Sequence, residues 1–145
     1  MSEQTSPTTA ISKPIPSITP DLAEFFAGAR RGELMVQKCQ GCGVLRFPAH
    51  ETCANCLDGR AKWVPVSGRG TIYSFNIMHQ VYHPGFAGEV PYAVVVVQLD
   101  EGVKFISNLV GIKPHDIRCG MPVEVIFEKI SEEITLPKFR PRAGN

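Results

Sequence analysis

Several things are missing from this 145-residue chain, and each absence narrows what it can be. Charge of one sign is missing: Lys and Arg total 15 against 14 acids, a net of +1. Nucleic-acid binders usually show a basic excess, so this balance argues against that class. Long apolar runs are also missing. Nothing approaches the ~18 residues that span a bilayer, so no membrane role is expected. The N-terminus has no basic patch followed by an apolar stretch, so Met1 to Ser17 does not read as a secretory signal. Rich in Ser, Thr and Pro, residues 1–17 read as a disordered leader. A cytoplasmic location follows by default, and in a reducing compartment cysteines serve more often as metal ligands than as disulfides.

What is present begins with a helix signal. Thr19-Pro20-Asp21 supplies an N-cap, a proline at the first helical position and an early acid. Leu22, Phe25, Phe26 and Ala29 then recur on one face, and Gly32 ends the run. Arg30 and Arg31 fall in the last turn, where the helix dipole favours cations; a basic rim for an anionic ligand is the alternative. Glu33 to Lys38 alternates as a strand entering the first cysteine pair.

Cys39-x-x-Cys42 and Cys53-x-x-Cys56 are two pairs with the spacing that lets a tight turn deliver two sulfurs to one ion. Four thiolates would close a tetrahedral shell around one Zn²⁺, leaving no open position for water, so the site reads as structural rather than catalytic. Metal binding would substitute for a core that a segment of this size cannot build. Rubredoxin-type iron is the main alternative, and two disulfides the other. Cys119, in the turn Arg118-Cys119-Gly120, sits in no recognisable nucleophile motif.

From Gly70 onward the chain is β-rich. Thr71 to Gln80, Tyr92 to Leu99, Val103 to Val110, Pro122 to Ile130 and Ile134 to Phe139 read as five strands, with a long connection after the third. This predicts a mainly β protein ending in a five-stranded closed barrel, with the OB-fold as leading candidate; an SH3-like barrel or small sandwich stays open. The organisation expected is a leader over 1–17, helix and zinc ribbon over 18–66, barrel over 67–141 and tail over 142–145.

Taken together, Gly32-Glu33-Leu34, Cys39-x-x-Cys42-Gly43-x-x-Arg46-Phe47-Pro48, Cys53-x-x-Cys56, Gly68-Arg69-Gly70-Thr71-Ile72-Tyr73, Pro91-Tyr92-Ala93-Val94, Ser107-Asn108-Leu109-Val110 and Gly120-Met121-Pro122-Val123 resemble a known family. It joins a rubredoxin-like zinc ribbon to an OB-fold, and the likeness runs over roughly residues 18 to 141. The resemblance implies a non-catalytic partner of thiolase-like enzymes or acyl-CoA hydratases. In that family the OB-fold is thought to help bind acyl-CoA and the ribbon to help dock the partner. Members accompany thiolases in steroid side-chain breakdown and anaerobic aromatic degradation. This compact chain is similar to the small subunit of benzoylsuccinyl-CoA thiolase, which implies a hetero-oligomer.

The residues themselves offer candidates for such a role. Arg46, Lys62 and Arg69, with Phe47, Trp63 and Tyr73 interleaved, could meet the phosphates and adenine of CoA; Arg46, Phe47, Lys62, Arg69 and Tyr73 are the candidate ligand residues. The His79 to Pro91 loop carries His79, Tyr82, His83 and Phe86 and could serve as a lid or docking surface, or as a plug for the barrel end. No catalytic residue is assigned. The competing readings are a single-stranded nucleic-acid-binding module, which would stack bases on aromatics along a basic groove, and a free-standing rubredoxin-like redox protein.

Overall fold

A computed structural model describes residues 13–143, so residues 1–12 of the expected leader and the last two of the tail lie outside the described residues. The N-terminal signal works in two steps rather than one. Pro20–Leu22 forms a 3-10 turn and the α-helix proper, α1, spans Ala23–Arg31. Thr19 makes no side-chain capping bond. Its hydroxyl is drawn to the Asp21 carboxylate instead. At the other end Gly32 adopts φ 79°. Its N–H reaches Ala29 O at 3.0 Å and the Glu33 N–H reaches Gly28 O at 2.8 Å, a left-handed cap that glycine adopts without strain. Arg30 ties this helix to the turn before the last strand by donating to Glu133 O at 2.8 Å.

Phe25, Phe26 and Ala29 are buried, as their spacing predicts. They pack α1 towards strand β1 (Leu34–Cys39), the centre of an antiparallel sheet ordered β2-β1-β3. β2 is only Leu45–Arg46, and β3 is Ala61–Val66. Gly28 allows the close approach of helix to strand: a Cβ there would lie 2.2 Å from Met35 Cγ. β3 pairs with β1 along its whole length, Leu34 with Val66 through to Cys39 with Ala61.

The remaining five strands are β4 (Arg69–Met78), β5 (Tyr92–Leu99), β6 (Lys104–Leu109), β7 (Pro122–Lys129) and β8 (Thr135–Pro141). They form a closed barrel ordered β4-β5-β6-β8-β7, the five-stranded closure expected of an OB-fold. Alternation within β5 directs Ala93, Val95, Val97 and Leu99 inward, where they meet Ile72, Phe105, Val123 and Phe139. A bulge between Ile72 and Ser74 leaves Tyr73 without a partner on β5 and tightens the curvature of β4. At Gly70 a Cβ would stand 2.3 Å from the Gln98 carbonyl oxygen, so only glycine fits this tight crossing. The seam between β6 and β8 is thin: one parallel register pair, Leu109 with Phe139.

Aromatic rings join the two sheets. Phe47, just past β2, stacks on barrel residue Phe105 with centroids 4.0 Å apart, and Phe25 of α1 stands 5.5 Å from Phe47 and 6.1 Å from Phe105. Glu101 adds a polar tie where β3 hands over to β4, accepting from Ser67 N at 2.6 Å and Ser67 Oγ at 3.1 Å.

Candidate metal centre and ligand surfaces

The Sγ atoms of Cys39, Cys42, Cys53 and Cys56 all lie within 4.8 Å of one another. Cys39 ends β1, and the turn that follows returns Gly43 N–H to the Cys39 carbonyl at 2.9 Å. The second pair repeats the device, with Leu57 N–H on the Cys53 carbonyl at 2.9 Å. Leu57 takes φ 68°, a left-handed conformation unusual for a bulky residue. Each knuckle also aims an amide at sulfur: Gly41 N–H at Cys39 Sγ, 3.3 Å, and Asn55 N–H at Cys53 Sγ, 3.4 Å. Cys39 and Cys53 are buried, whereas Cys42 and Cys56 are exposed.

These distances fit a four-sulfur metal site. Cys39 and Cys56 sulfurs are 3.5 Å apart and those of Cys42 and Cys53 are 3.7 Å apart. A tetrahedron with bonds of ~2.3 Å has edges of ~3.8 Å. The electrostatics point the same way. Hydrogen bonds from the Cys56 and Asn55 amides bring the Cys53 thiol down to about 6. The Asn55 side chain, with the Val44 amide, also lowers Cys42. Cys56 is pulled down by the Asp58 N–H, yet the neighbouring thiols, Cys39 foremost, drive it up to about 12. Sulfurs this close cannot all be ionised on their own, and a shared divalent cation removes that conflict. Beside the site the Arg60 guanidinium hydrogen-bonds Asp58 and holds its carboxyl down at about 2. Cys119 stands apart from the quartet, exposed in the turn before β7.

The candidate ligand residues fall in several settings. Arg46, on β2, is half-buried and engaged: Nε donates to Gln37 Oε1 at 2.8 Å and a terminal nitrogen donates to His50 O at 2.8 Å. Its other terminal nitrogen is buried without a partner. Phe47 belongs to the aromatic junction between the sheets. Lys62 is exposed on β3 opposite Lys38, both bordering a shallow hollow beside Cys39. Arg69 is exposed at the start of β4, in register with Glu124. Tyr73 is 54% exposed on the barrel, with Lys104 Nζ over its ring at 4.0 Å.

The loop before β5 divides its four candidates. Phe86 turns back onto Tyr92, centroids 5.7 Å apart, and His83 Nδ1 accepts from Gly85 N at 3.0 Å. Both therefore organise the loop. Tyr82, 72% exposed, and His79 face outward. Sequence reasoning does not single out Asn108, whose side chain donates to Ala93 O at 3.0 Å beside a cavity. It lies in β6 within the Ser107-Asn108-Leu109-Val110 run, and an asparagine inside a strand is the signal that could have found it.

Among the described residues, no helix is long and apolar enough to cross a membrane. Comparison with known proteins matches two family models. Residues 26–61 match the rubredoxin-like zinc ribbon domain of ChsH2, and residues 63–128 match its C-terminal OB-fold domain. A probable enoyl-CoA hydratase alpha subunit of Thermomonospora curvata is 40% identical over 96% of this chain, which spans only 43% of that relative's length. The benzoylsuccinyl-CoA thiolase subunit BbsA of Thauera aromatica is 33% identical, with 76% of each chain covered. A DUF35 domain-containing scaffold protein of Methanocaldococcus jannaschii is 32% identical over 66% of this chain and 68% of its own. Among solved structures, one described as Ltp2-ChsH2(DUF35) aldolase superposes with a TM-score of 0.78 at 39% identity, covering 88% of this chain and 98% of that one. A quartet of cysteines set for one structural zinc, a five-stranded barrel behind it and these matches lead to one conclusion: the chain belongs to the ChsH2-type family, in which a rubredoxin-like zinc ribbon precedes an OB-fold.

Proposed function

We propose that this chain is a non-catalytic, acyl-CoA-binding scaffold subunit of a thiolase-type enzyme complex, located in the cytoplasm. The observation that carries the reading is the shared two-module architecture: ribbon and barrel together superpose on nearly the whole of a solved chain whose description couples ChsH2(DUF35) to an aldolase. The names of relatives, a thiolase subunit and an enoyl-CoA hydratase subunit among them, support a role within assemblies that process CoA thioesters. The chemistry of the metal site agrees with it. Four cysteine ligands fill a zinc coordination shell, so this ion would hold the fold and not the substrate.

In this reading the reacting groups stand on the partner, and the scaffold supplies position. The exposed cations Lys62 and Arg69, with Tyr73 on the barrel, are the residues offered to the nucleotide end of acyl-CoA; Arg46 acts from behind by bracing the ribbon through Gln37 and His50, and Phe47 by stacking the ribbon on Phe105 of the barrel. His79 and Tyr82 are offered to the partner, and His83 and Phe86 shape the loop that presents them. The finer reading is a thiolase step in β-oxidation-like degradation of an aromatic compound, in a hetero-oligomer.

Co-expression with a thiolase-like protein, followed by affinity capture, tests this directly. The expected result is a stable complex that binds acyl-CoA and whose thioester turnover exceeds that of the partner alone, while the isolated chain turns over none. An isolated chain that cleaves a thioester, or a chain that captures no thiolase-like partner, would overturn the reading.

A further inference from the structure

A cavity of about 480 Å³ opens where β5 begins and β6 ends, walled by Ile15, Phe86, Tyr92, Leu109, Ile130 and Leu136. Its size falls in the range of small-molecule sites. Two features show how it is built. The 3-10 turn Pro84–Phe86, capped by His83, sets the Phe86 ring against Tyr92. Across it runs the segment beginning at Lys13, whose Nζ lies 2.6 Å from Glu89 Oε1 and 5.6 Å from the Phe86 ring centroid. Ile15 of that segment is 56% exposed, apolar surface that a bound group would cover.

The polar lining selects the ligand class. Both cations at the cavity are already neutralised: Lys13 by Glu89, and Lys138, only 14% exposed, by Glu128 at 2.8 Å. A carboxylate or phosphate entering here would have to displace a carboxylate that is already paired and would lose its own hydration. Hydrogen-bond acceptors remain. Asn108 commits its amide nitrogen to Ala93 O, leaving Oδ1 with no protein donor among the described residues. Tyr92, half-buried, brings a phenol to the same wall.

We infer that this cavity binds an uncharged aromatic or alicyclic ring system of roughly two fused rings that bears a hydroxyl group, with the rings between Phe86, Ile15 and Leu136 and the hydroxyl on Asn108 Oδ1. The inference rests on the cavity alone and goes beyond the acyl-CoA reading, because among the described residues no unpaired cation lines it to meet a phosphate.

Titration of the zinc-loaded full chain with 2-naphthol and with 2-naphthoate, by calorimetry and by the Asn108 side-chain amide resonances, tests it. The naphthol should bind saturably at one site and shift those resonances, and the naphthoate should bind at least tenfold more weakly. Val110→Trp, which puts bulk into the cavity from its wall, should abolish binding. Ile15→Ser, a change at an exposed position that leaves the barrel intact, should weaken it several-fold. No saturable naphthol binding, equal or tighter naphthoate binding, or an affinity unmoved by either variant would overturn the inference. Such a failure leaves the scaffold reading standing, since the titration contains neither CoA nor a partner.

Discussion

The ribbon and the barrel solve the same stability problem by different means. The barrel closes five strands around an apolar interior in which Val95, Val97, Phe105, Val123 and Phe139 are almost wholly buried. The ribbon has one central strand between a two-residue edge and the six-residue β3, and two loops in which most residues from Gln40 to Arg60 are exposed. So little apolar burial cannot offset the cost of ordering those loops. Four sulfurs do what the missing core would have done, and the region's folding free energy becomes metal-binding free energy. Stability in the ribbon should therefore be all-or-none in zinc, and in the barrel graded in side-chain volume.

The largest effect should come from removing a ligand. Cys53→Ser deletes a buried sulfur that two amides have prepared as a thiolate. Structural zinc in small modules contributes on the order of 10 kcal/mol at neutral pH. The variant should hold no stoichiometric zinc, and amides of Gln40 to Arg60 should exchange freely while those of β5 stay protected. Hydrogen exchange with metal analysis checks both. Loss of protection in β5 at the same time would mean that the two regions form one cooperative unit.

Next in size is Phe105→Ala. Its ring touches Phe47 and Phe25 on one side and Phe139 on the other, so it belongs to both regions at once. Emptying a buried phenylalanine site costs about 3–5 kcal/mol. Denaturant unfolding should show that loss in the barrel, together with weaker zinc retention under a competing chelator. A stability loss with unchanged zinc retention would place the ribbon outside the barrel's influence.

A smaller loss is expected at Gly70→Ala. The new methyl would collide with the backbone at Gln98, not with a side chain that could swing away. Overpacking of this kind costs about 1–3 kcal/mol, read as a lower melting temperature. Gly32→Ala makes a useful companion, because its Cβ meets nothing within 4 Å and its cost is conformational alone.

What could be read from the chain follows the same division. Periodicity and cysteine spacing are local signals, so the zinc quartet, the strand Tyr92–Leu99 and the five-strand barrel were all legible. β3 was not. Pro65 interrupts Ala61–Val66, yet β3 is an edge strand, where a missing N–H can face away from the ladder. β2, at two residues, is too short to show any period. The ligand surface was harder still, because sequence shows residue type but not direction. Arg46 and Phe47 read as a cation beside an aromatic; folded, one is bonded to Gln37 and the other stacked on Phe105. The cavity beside Asn108 depends on residues far apart in the chain, such as Lys13, Glu89 and Lys138, and no local pattern links them.

The smallest expected effect concerns the barrel's outer face, where neither zinc nor core volume enters. Lys104 Nζ sits 4.0 Å from the Tyr73 ring centroid on neighbouring ground left open by the bulge. At an exposed site such a contact contributes about 0.5–1 kcal/mol. Lys104→Met keeps most of the stem while removing the charge, so stability should fall by about 0.5 kcal/mol. Tyr73→Leu should cost a similar amount, and the double variant little more than either single change. If instead the two losses add, the cation and the ring are independent, and the pair is free to be drawn apart by a ligand. Acyl-CoA affinity of the assembled complex separates these cases: a Lys104→Met variant that weakens binding far more than it weakens folding would place this face in the ligand site.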